Sequence, residues 1–198
     1  KEIVTYDTYF SSCKNLSELI NFQKFLNENL VDLKSKTLLT IAFARAIDKS
    51  GNHQLALKTL IPITQKLYSF DDQLKGEYYG TLGSINYSSE RPEIALKYLY
   101  RSIHFLQKTK HFQSLQAKYI SLGMVHSALK EFPQALKSYE KAETLKKYAT
   151  PKNSLYLSLN LALTKSMMGK NEQAKIAFKN ALILFDKSPD QFAKNRTL

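Results

Sequence analysis

The sequence predicts an all-α protein built from stacked antiparallel helix pairs, because one short pattern recurs at a nearly constant spacing. An alanine followed four residues later by a large apolar residue occurs four times, and these alanines lie 39, 40 and 39 residues apart. The four occurrences are Ala56 with Leu60, Ala95 with Leu99, Ala135 with Tyr139, and Ala174 with Phe178. Repetition at a fixed period is typical of repeat architectures, in which each unit is one small supersecondary element.

A second pattern predicts the first helix of each pair. A large apolar residue followed by a small one occurs with the small residue twelve positions before each alanine, as Phe43-Ala44, Leu82-Gly83, Leu122-Gly123 and Leu161-Ala162. In the third repeat Tyr119, Leu122 and His126 follow at helical steps of three and four. Small residues at such positions let two helices approach closely, and large residues fill the space beside them.

Turn-forming residues predict where the first helix of each pair ends and the second begins. They stand at Ser50-Gly51-Asn52, Ser88-Ser89-Glu90, Lys130-Glu131 and Gly169-Lys170-Asn171. Pro92 and Pro133 lie two residues after the second and third of these turns, where a following helix would begin. The first turn of a helix tolerates proline because its N–H groups have no helical acceptor. We expect Pro151 and Pro189 to lie between repeats and Pro62 to kink a second helix.

These residues resemble the signature of the tetratricopeptide repeat, which places an aromatic residue, Leu-Gly, Ala, Phe and Ala within one helix–turn–helix unit. The third repeat is most similar, with Tyr119, Leu122, Gly123, Ala135, Tyr139 and Ala142. The period differs from the usual one of about 34 residues, and long-period arrays of this kind occur in bacterial peptide-sensing regulators and in kinesin light chains. The resemblance implies a right-handed superhelical solenoid with a concave face.

The register of the patterns predicts the organisation of the chain. Four repeats are expected over residues 37–75, 76–115, 116–154 and 155–187. Residues 1–36 carry a less regular apolar stripe and are expected to form a degenerate N-terminal helix pair or capping repeat. Residues 188–198 are expected to begin a C-terminal helix that is cut short, as in a fragment of a longer protein.

Composition and charge limit the classes of function. The chain has 198 residues and a formal net charge of +12, from 29 Lys and Arg against 17 Asp and Glu. The lysines are scattered, which is typical of a solvated helical surface, so direct binding of nucleic acid is not the leading expectation. Its single cysteine excludes an internal disulfide, and no apolar run is long enough to span a membrane. We expect a cytoplasmic protein, and a periplasmic or secreted location stays open as the alternative.

No residue pattern predicts catalysis or metal binding. The four histidines lie at positions 53, 104, 111 and 126, and the sequence has no glycine-rich phosphate loop. Most of the 23 Tyr and Phe residues fall on repeat positions that pack between helices. We therefore expect no enzymatic activity, no catalytic residue, no metal and no cofactor.

The resemblance implies that a ligand would lie against the first helix of each repeat. In the family, fixed positions of each repeat face the groove. We count these positions from repeat starts at Thr37, Gly76, Gln116 and Leu155. The residues found there form a candidate peptide-binding set: Arg45, Lys49, Ser84, Tyr87, Met124, Ser127, Tyr156, Asn160 and Leu163. The same positions place Ile41 and Ile120 in the groove. The groove is then basic at its start and apolar at its end.

The leading hypothesis is therefore a scaffold domain that binds another protein or a peptide with apolar anchors and some acidic character. The carboxylate clamp of some family members uses Lys and Asn, where this chain has Ile41 and Arg45, so that clamp is not expected. Two alternatives stay open: the effector-peptide-sensing domain of a bacterial transcriptional regulator, and a basic surface that binds nucleic acid. The sequence is also compatible with a homo-oligomer, and with groove residues that only line a solvent-filled channel.

Overall fold

A computed structural model describes residues 15–29 and 32–186, and every regular element in these ranges is a helix. The α-helices are α1 (Leu16–Asn29), α2 (Leu33–Lys49), α3 (His53–Thr64), α4 (Asp72–Ser88), α5 (Pro92–Leu106), α6 (Phe112–Ala128), α7 (Phe132–Thr144), α8 (Pro151–Met167) and α9 (Asn171–Asp186). Single 3₁₀ turns lie at Leu67–Ser69 and Lys146–Tyr148. Consecutive helices form antiparallel pairs, which confirms the predicted all-α class.

The chain divides into two compact units, Lys1–Phe105 and Leu106–Leu198. In the N-terminal unit, α2 packs against α1, α3 and α4. Its core is made of side chains from these helices, with Leu39, Ile41, Ile47 and Ile85 fully buried. In the C-terminal unit, α6 packs against α7 and α8, and α8 against α9.

The four first helices, α2, α4, α6 and α8, have 17 residues each. Each begins four residues, about one helical turn, before the repeat start counted from the sequence. Three of these starts carry a side-chain cap, since the carboxylates of Asp32 and Asp71 and the hydroxyl of Thr150 accept a backbone N–H from three residues ahead. Hydrogen bonding from Ser35 also lowers the pKa of Asp32.

Pro151 is the first residue of α8, directly after its cap Thr150. The expectation that Pro151 lies between repeats was wrong, because a capped helix start accommodates proline as well as a linker does. Pro62 lies inside α3, which ends two residues later at Thr64. Pro189 and the expected C-terminal helix lie outside the described residues, as does Cys13.

The turn between the two helices of every repeat has the same left-handed cap, which confirms the predicted turn positions. The cap residues are Gly51, Glu90, Lys130 and Gly169, with φ values of 85°, 59°, 61° and 74°. In each turn the residue after the cap donates its N–H to the carbonyl five positions back, as Glu131 does to His126 at 2.9 Å. These bonds satisfy carbonyls that the helix end would otherwise expose.

Small and large residues face each other between the paired helices, as the repeat pattern predicts. A Cβ atom built on Gly123 would lie 2.3 Å from the Tyr139 ring, and one on Gly83 would lie 2.8 Å from Leu99. Ser102 adds a polar contact, because its buried hydroxyl donates to the carbonyl oxygen of Gly76 at 2.6 Å. Close packing of this kind fixes the two helices of a repeat against each other.

Candidate functional site

The predicted peptide-binding residues all lie on the first helices of the four repeats. Arg45 and Lys49 are on α2, Ser84 and Tyr87 on α4, Met124 and Ser127 on α6, and Tyr156, Asn160 and Leu163 on α8. Four of them occupy one register position, since they are separated by the 39, 40 and 39 residues of the repeat: Arg45, Ser84, Met124 and Leu163. This position changes from charged in repeat one to apolar in repeats three and four.

In the N-terminal unit the residue at this position in repeat one, Arg45, forms an ion pair. The guanidinium of Arg45 lies 3.4 Å from the carboxylate of Glu77 on α4, with side-chain exposures of 20% and 5%. Arg45 is therefore engaged by the neighbouring repeat. An acidic guest would have to compete with Glu77 for this guanidinium.

A second polar contact joins the ends of the same two helices. Asp48 accepts a hydrogen bond from Ser88 at 3.1 Å and lies 2.7 Å from the imidazole Nδ1 of His53. Beside this contact, Tyr87 and Ser84 are partly buried, and the Ser84 hydroxyl donates to the Gly80 carbonyl within its own helix. The first-helix face of this unit is thus polar and largely satisfied by internal contacts.

In the C-terminal unit, α6 and α8 lie side by side and are joined by side-chain hydrogen bonds. The amide of Asn153 donates to the side-chain oxygen of Gln116 at 3.5 Å, and a shorter bond lies further along the two helices. The hydroxyl of Ser127 lies 2.5 Å from that of Thr164. Ser127 is therefore tied to the adjacent helix, which limits it as a donor to a ligand. Met124, one turn earlier on α6, is partly exposed beside it.

Three large apolar side chains on α8 stand out from the surface at helical steps of seven and four. Tyr156 is 46% exposed, Leu163 51% and Met167 57%. Asn160 lies between the first two, and its amide donates to the carbonyl of Tyr156 at 2.7 Å. We call Tyr156, Leu163 and Met167 the α8 stripe; positions spaced in this way share one face of a helix.

Two residues expected in the groove are buried instead. Ile41 is fully buried and Ile120 is 4% exposed, so neither offers surface to a ligand, and the expectation was wrong for both. Both occupy the same repeat position, one turn before the position of Arg45 and Met124, where the side chain turns into the helix packing. The groove-facing positions carried over from the family also include Met167, which is exposed on α8, and Glu77, which is buried. They did not indicate that Glu77 pairs with Arg45.

The titratable side chains near the turns form pairs rather than larger clusters in the described residues. Within residues 15–29 and 32–186, no group of three or more His, Cys, Asp and Glu side chains is placed to hold a metal ion. His126 pairs with Glu131 at 2.6 Å across the turn, in the way His53 pairs with Asp48. In the same ranges no helix combines the length and apolar character needed to cross a membrane.

Comparison with solved structures places the fold among tetratricopeptide-like repeat proteins. The chain is similar to MamA, with 20% identity over 87% of this chain and 90% of that chain and a TM-score of 0.58. It is similar to BtubC (BKLC) from P. vanneervenii, with 17% identity over 87% and 72% of the two chains and a TM-score of 0.64.

A third similar structure is a putative kinesin light chain from Podosopora anserina with nearly identical TPR-like repeats. Identity is 13%, coverage is 94% of both chains, and the TM-score is 0.65. No protein-family model and no curated protein sequence matches this chain. The structural similarities confirm the predicted tetratricopeptide-like fold.

Proposed function

We propose that this chain, which has the fold of the tetratricopeptide-like repeat proteins, binds a peptide or helix of another protein on the first-helix face of its C-terminal unit. The observation that carries the proposal is the α8 stripe. Three large apolar side chains, each about half exposed, stand on one face of α8 beside α6. Exposed apolar surface arranged in this way is characteristic of a contact surface for another chain.

The polar groups around the stripe favour an apolar guest. Asn160 donates its amide to its own helix, and Ser127 is bonded to Thr164. Met124 adds a flexible apolar side chain that can adapt its shape to a guest. Burying one large apolar anchor of the guest contributes on the order of 1.5–3 kcal/mol.

A cation beside the α8 stripe favours negative charge on the guest. Lys152 lies over the Tyr156 ring at 5.7 Å, at the start of the α8 stripe. This cation favours a guest with an acidic residue next to its apolar anchors. The proposed partner class is thus an apolar segment with some negative charge.

The test selects ligands for the full chain from a random peptide library displayed on phage and measures their affinities for two variants. Leu163→Glu places a carboxylate in the α8 stripe. The matched control is Leu182→Glu, which makes the same change at a 61% exposed leucine on the second helix α9. Loss of one apolar anchor corresponds to a weakening of roughly tenfold to a hundredfold.

We expect Leu163→Glu to weaken the selected peptides by that factor and Leu182→Glu to leave them unchanged, with both variants folded by circular dichroism. Equal affinities for Leu163→Glu and the unmodified chain would refute the site. Peptide binding that follows the negative charge of the ligand alone and disappears near 150 mM salt would indicate charge attraction without a specific site, and would also contradict the proposal.

A further inference from the structure

The N-terminal unit has a cavity on the side of the second helices of its repeats. It lies between α3 and α5 with α4 as its floor and has a volume of about 240 Å³. The residues that matter for its chemistry are Ile61, Thr64, Tyr78, Tyr79, Tyr98 and Arg101. None of them belongs to the first-helix face assigned above to peptide binding.

The cavity has an apolar and aromatic wall. The ring of Tyr79 stacks on Tyr98 with centroids 6.2 Å apart and on Phe105 at 5.7 Å. Ile61 stands at the mouth and is 58% exposed. At the floor the hydroxyls of Thr64 and Tyr78 bond to each other at 2.5 Å, so these polar groups satisfy one another and leave an apolar lining.

Two cations flank the aromatic stack. The guanidinium of Arg101 lies over the Tyr79 ring at 5.6 Å, and the ammonium of Lys75 lies over Phe105 at 5.8 Å. Within the described residues neither cation lies in a salt bridge with a carboxylate. A guanidinium near a ring face can still use its N–H groups to bind the two oxygens of a carboxylate.

The matching cavity of repeats three and four shows that this composition is not required by the fold. Ala56 and Ala135 mark the same place in repeats one and three and lie 79 residues apart. At that offset Thr64, Tyr79 and Arg101 correspond to Glu143, Ser158 and Asn180, which line a cavity of about 360 Å³ in the C-terminal unit. The same place in the fold there carries no aromatic wall and no arginine.

We propose that the cavity between α3 and α5 is a second binding site, for a peptide segment in which a large apolar residue is followed by an acidic one. Its volume is below the roughly 300–1,000 Å³ typical of sites for drug-sized ligands, so it holds a side chain rather than a whole small molecule. The apolar side chain enters beside Ile61 and Tyr79. The acidic residue then reaches the edge of the Arg101 guanidinium.

The test uses two blocked tetrapeptides, acetyl-Gly-Phe-Glu-Gly-amide and acetyl-Gly-Phe-Gln-Gly-amide, titrated to millimolar concentration into the ¹⁵N-labelled full chain. We expect amide shifts at residues of α3 and α5 lining the cavity. Because a solvent-exposed ion pair contributes little, the Glu peptide should bind only about threefold to fivefold more tightly than the Gln peptide.

The variants separate the two parts of the site. Arg101→Gln should abolish the preference for the Glu peptide and keep weak binding of both, whereas Ile61→Asp should remove binding of both. The matched control is Lys141→Gln, which removes a cation lying 5.5 Å over the Tyr119 ring at the equivalent position of repeat three. That control should keep the preference.

Three results would overturn the proposal: no shifts at α3 and α5, equal affinity for the two peptides, or a preference lost equally in Lys141→Gln and Arg101→Gln. Shifts confined to α6 and α8 would place these peptides on the first-helix face instead. Leu163→Glu belongs to that face and should leave the titration at α3 and α5 unchanged, so the two sites are tested independently.

Discussion

Replacing Gly123 with alanine tests the closest approach between two helices of the C-terminal unit. The added Cβ would lie 2.3, 2.6 and 2.7 Å from three ring atoms of Tyr139, which is fully buried. Overpacking a core costs about 1–3 kcal/mol. Alanine is favoured over glycine in a helix by about 1 kcal/mol, which acts in the opposite direction.

The steric cost should exceed the helical gain, because the obstructing atoms belong to a rigid ring with no room to move. We expect Gly123→Ala to lower the free energy of unfolding by up to about 2 kcal/mol, the steric cost less the helical gain. The measurement is urea denaturation followed by circular dichroism of the helices. The rescue is Tyr139→Leu, which with Gly123→Ala reproduces the pair Ala44 and Leu60 of repeat one, both buried.

In the Tyr139→Leu background the added methyl group should no longer destabilise, and its helical gain of up to about 1 kcal/mol should become visible. The two single variants and the double variant therefore form a thermodynamic cycle with a large coupling energy. A Gly123→Ala variant more stable than the unmodified chain, or an equal loss in both backgrounds, would show that the ring of Tyr139 does not lie against Gly123.

Two further predictions concern the turns and the N-terminal unit. Lys130 adopts a left-handed conformation that costs a side chain roughly 1–2 kcal/mol, so Lys130→Gly should raise the free energy of unfolding by about 0.5–1 kcal/mol; Gly51→Ala is the reciprocal control and should lower it. Burial raises the pKa of Tyr78, so its contribution to stability is complete below the unfolded pKa of about 10 and is lost as pH rises through the folded value. Urea unfolding at alkaline pH should therefore show a steeper loss for the unmodified chain than for Tyr78→Phe, and parallel losses would contradict the burial of this hydroxyl.

The helix pairs were predictable because their packing leaves a mark at fixed positions of the sequence. The alanines at 56, 95, 135 and 174 are all buried, at exposures of 0–3%. The repeat starts were placed one helical turn late because the family signature begins inside the first helix. Other residues in the sequence indicate the true helix starts: Asp32, Asp71 and the Thr150-Pro151 pair are typical of the position just before a helix and of its first residue.

The contacts within the site were less predictable, because they depend on how neighbouring repeats are rotated against each other. Arg45 and Glu77 are 32 residues apart and meet only when α2 and α4 pack with these faces together. Phe178 is a further example. It occupies the position of the fully buried Tyr139, yet it is 40% exposed, since no helix follows α9 in the described part of the chain.

Some repeat positions hold the same residue type in all four repeats, and others vary; the constant positions serve helix packing, and the variable ones determine the chemistry of the surface. The packing position holds alanine in all four repeats, because a larger side chain there would push the paired helices apart. The position of Arg45, Ser84, Met124 and Leu163 is partly or largely exposed and holds four different residue types, so helix packing places no comparable demand on it. In the N-terminal unit it supports an internal ion pair, and in the C-terminal unit it exposes an apolar side chain that no described residue covers. A single exposed leucine needs no explanation, but Leu163 lies on one helix face with the exposed side chains of Tyr156 and Met167, and the guest chain proposed above would bury this shared apolar surface.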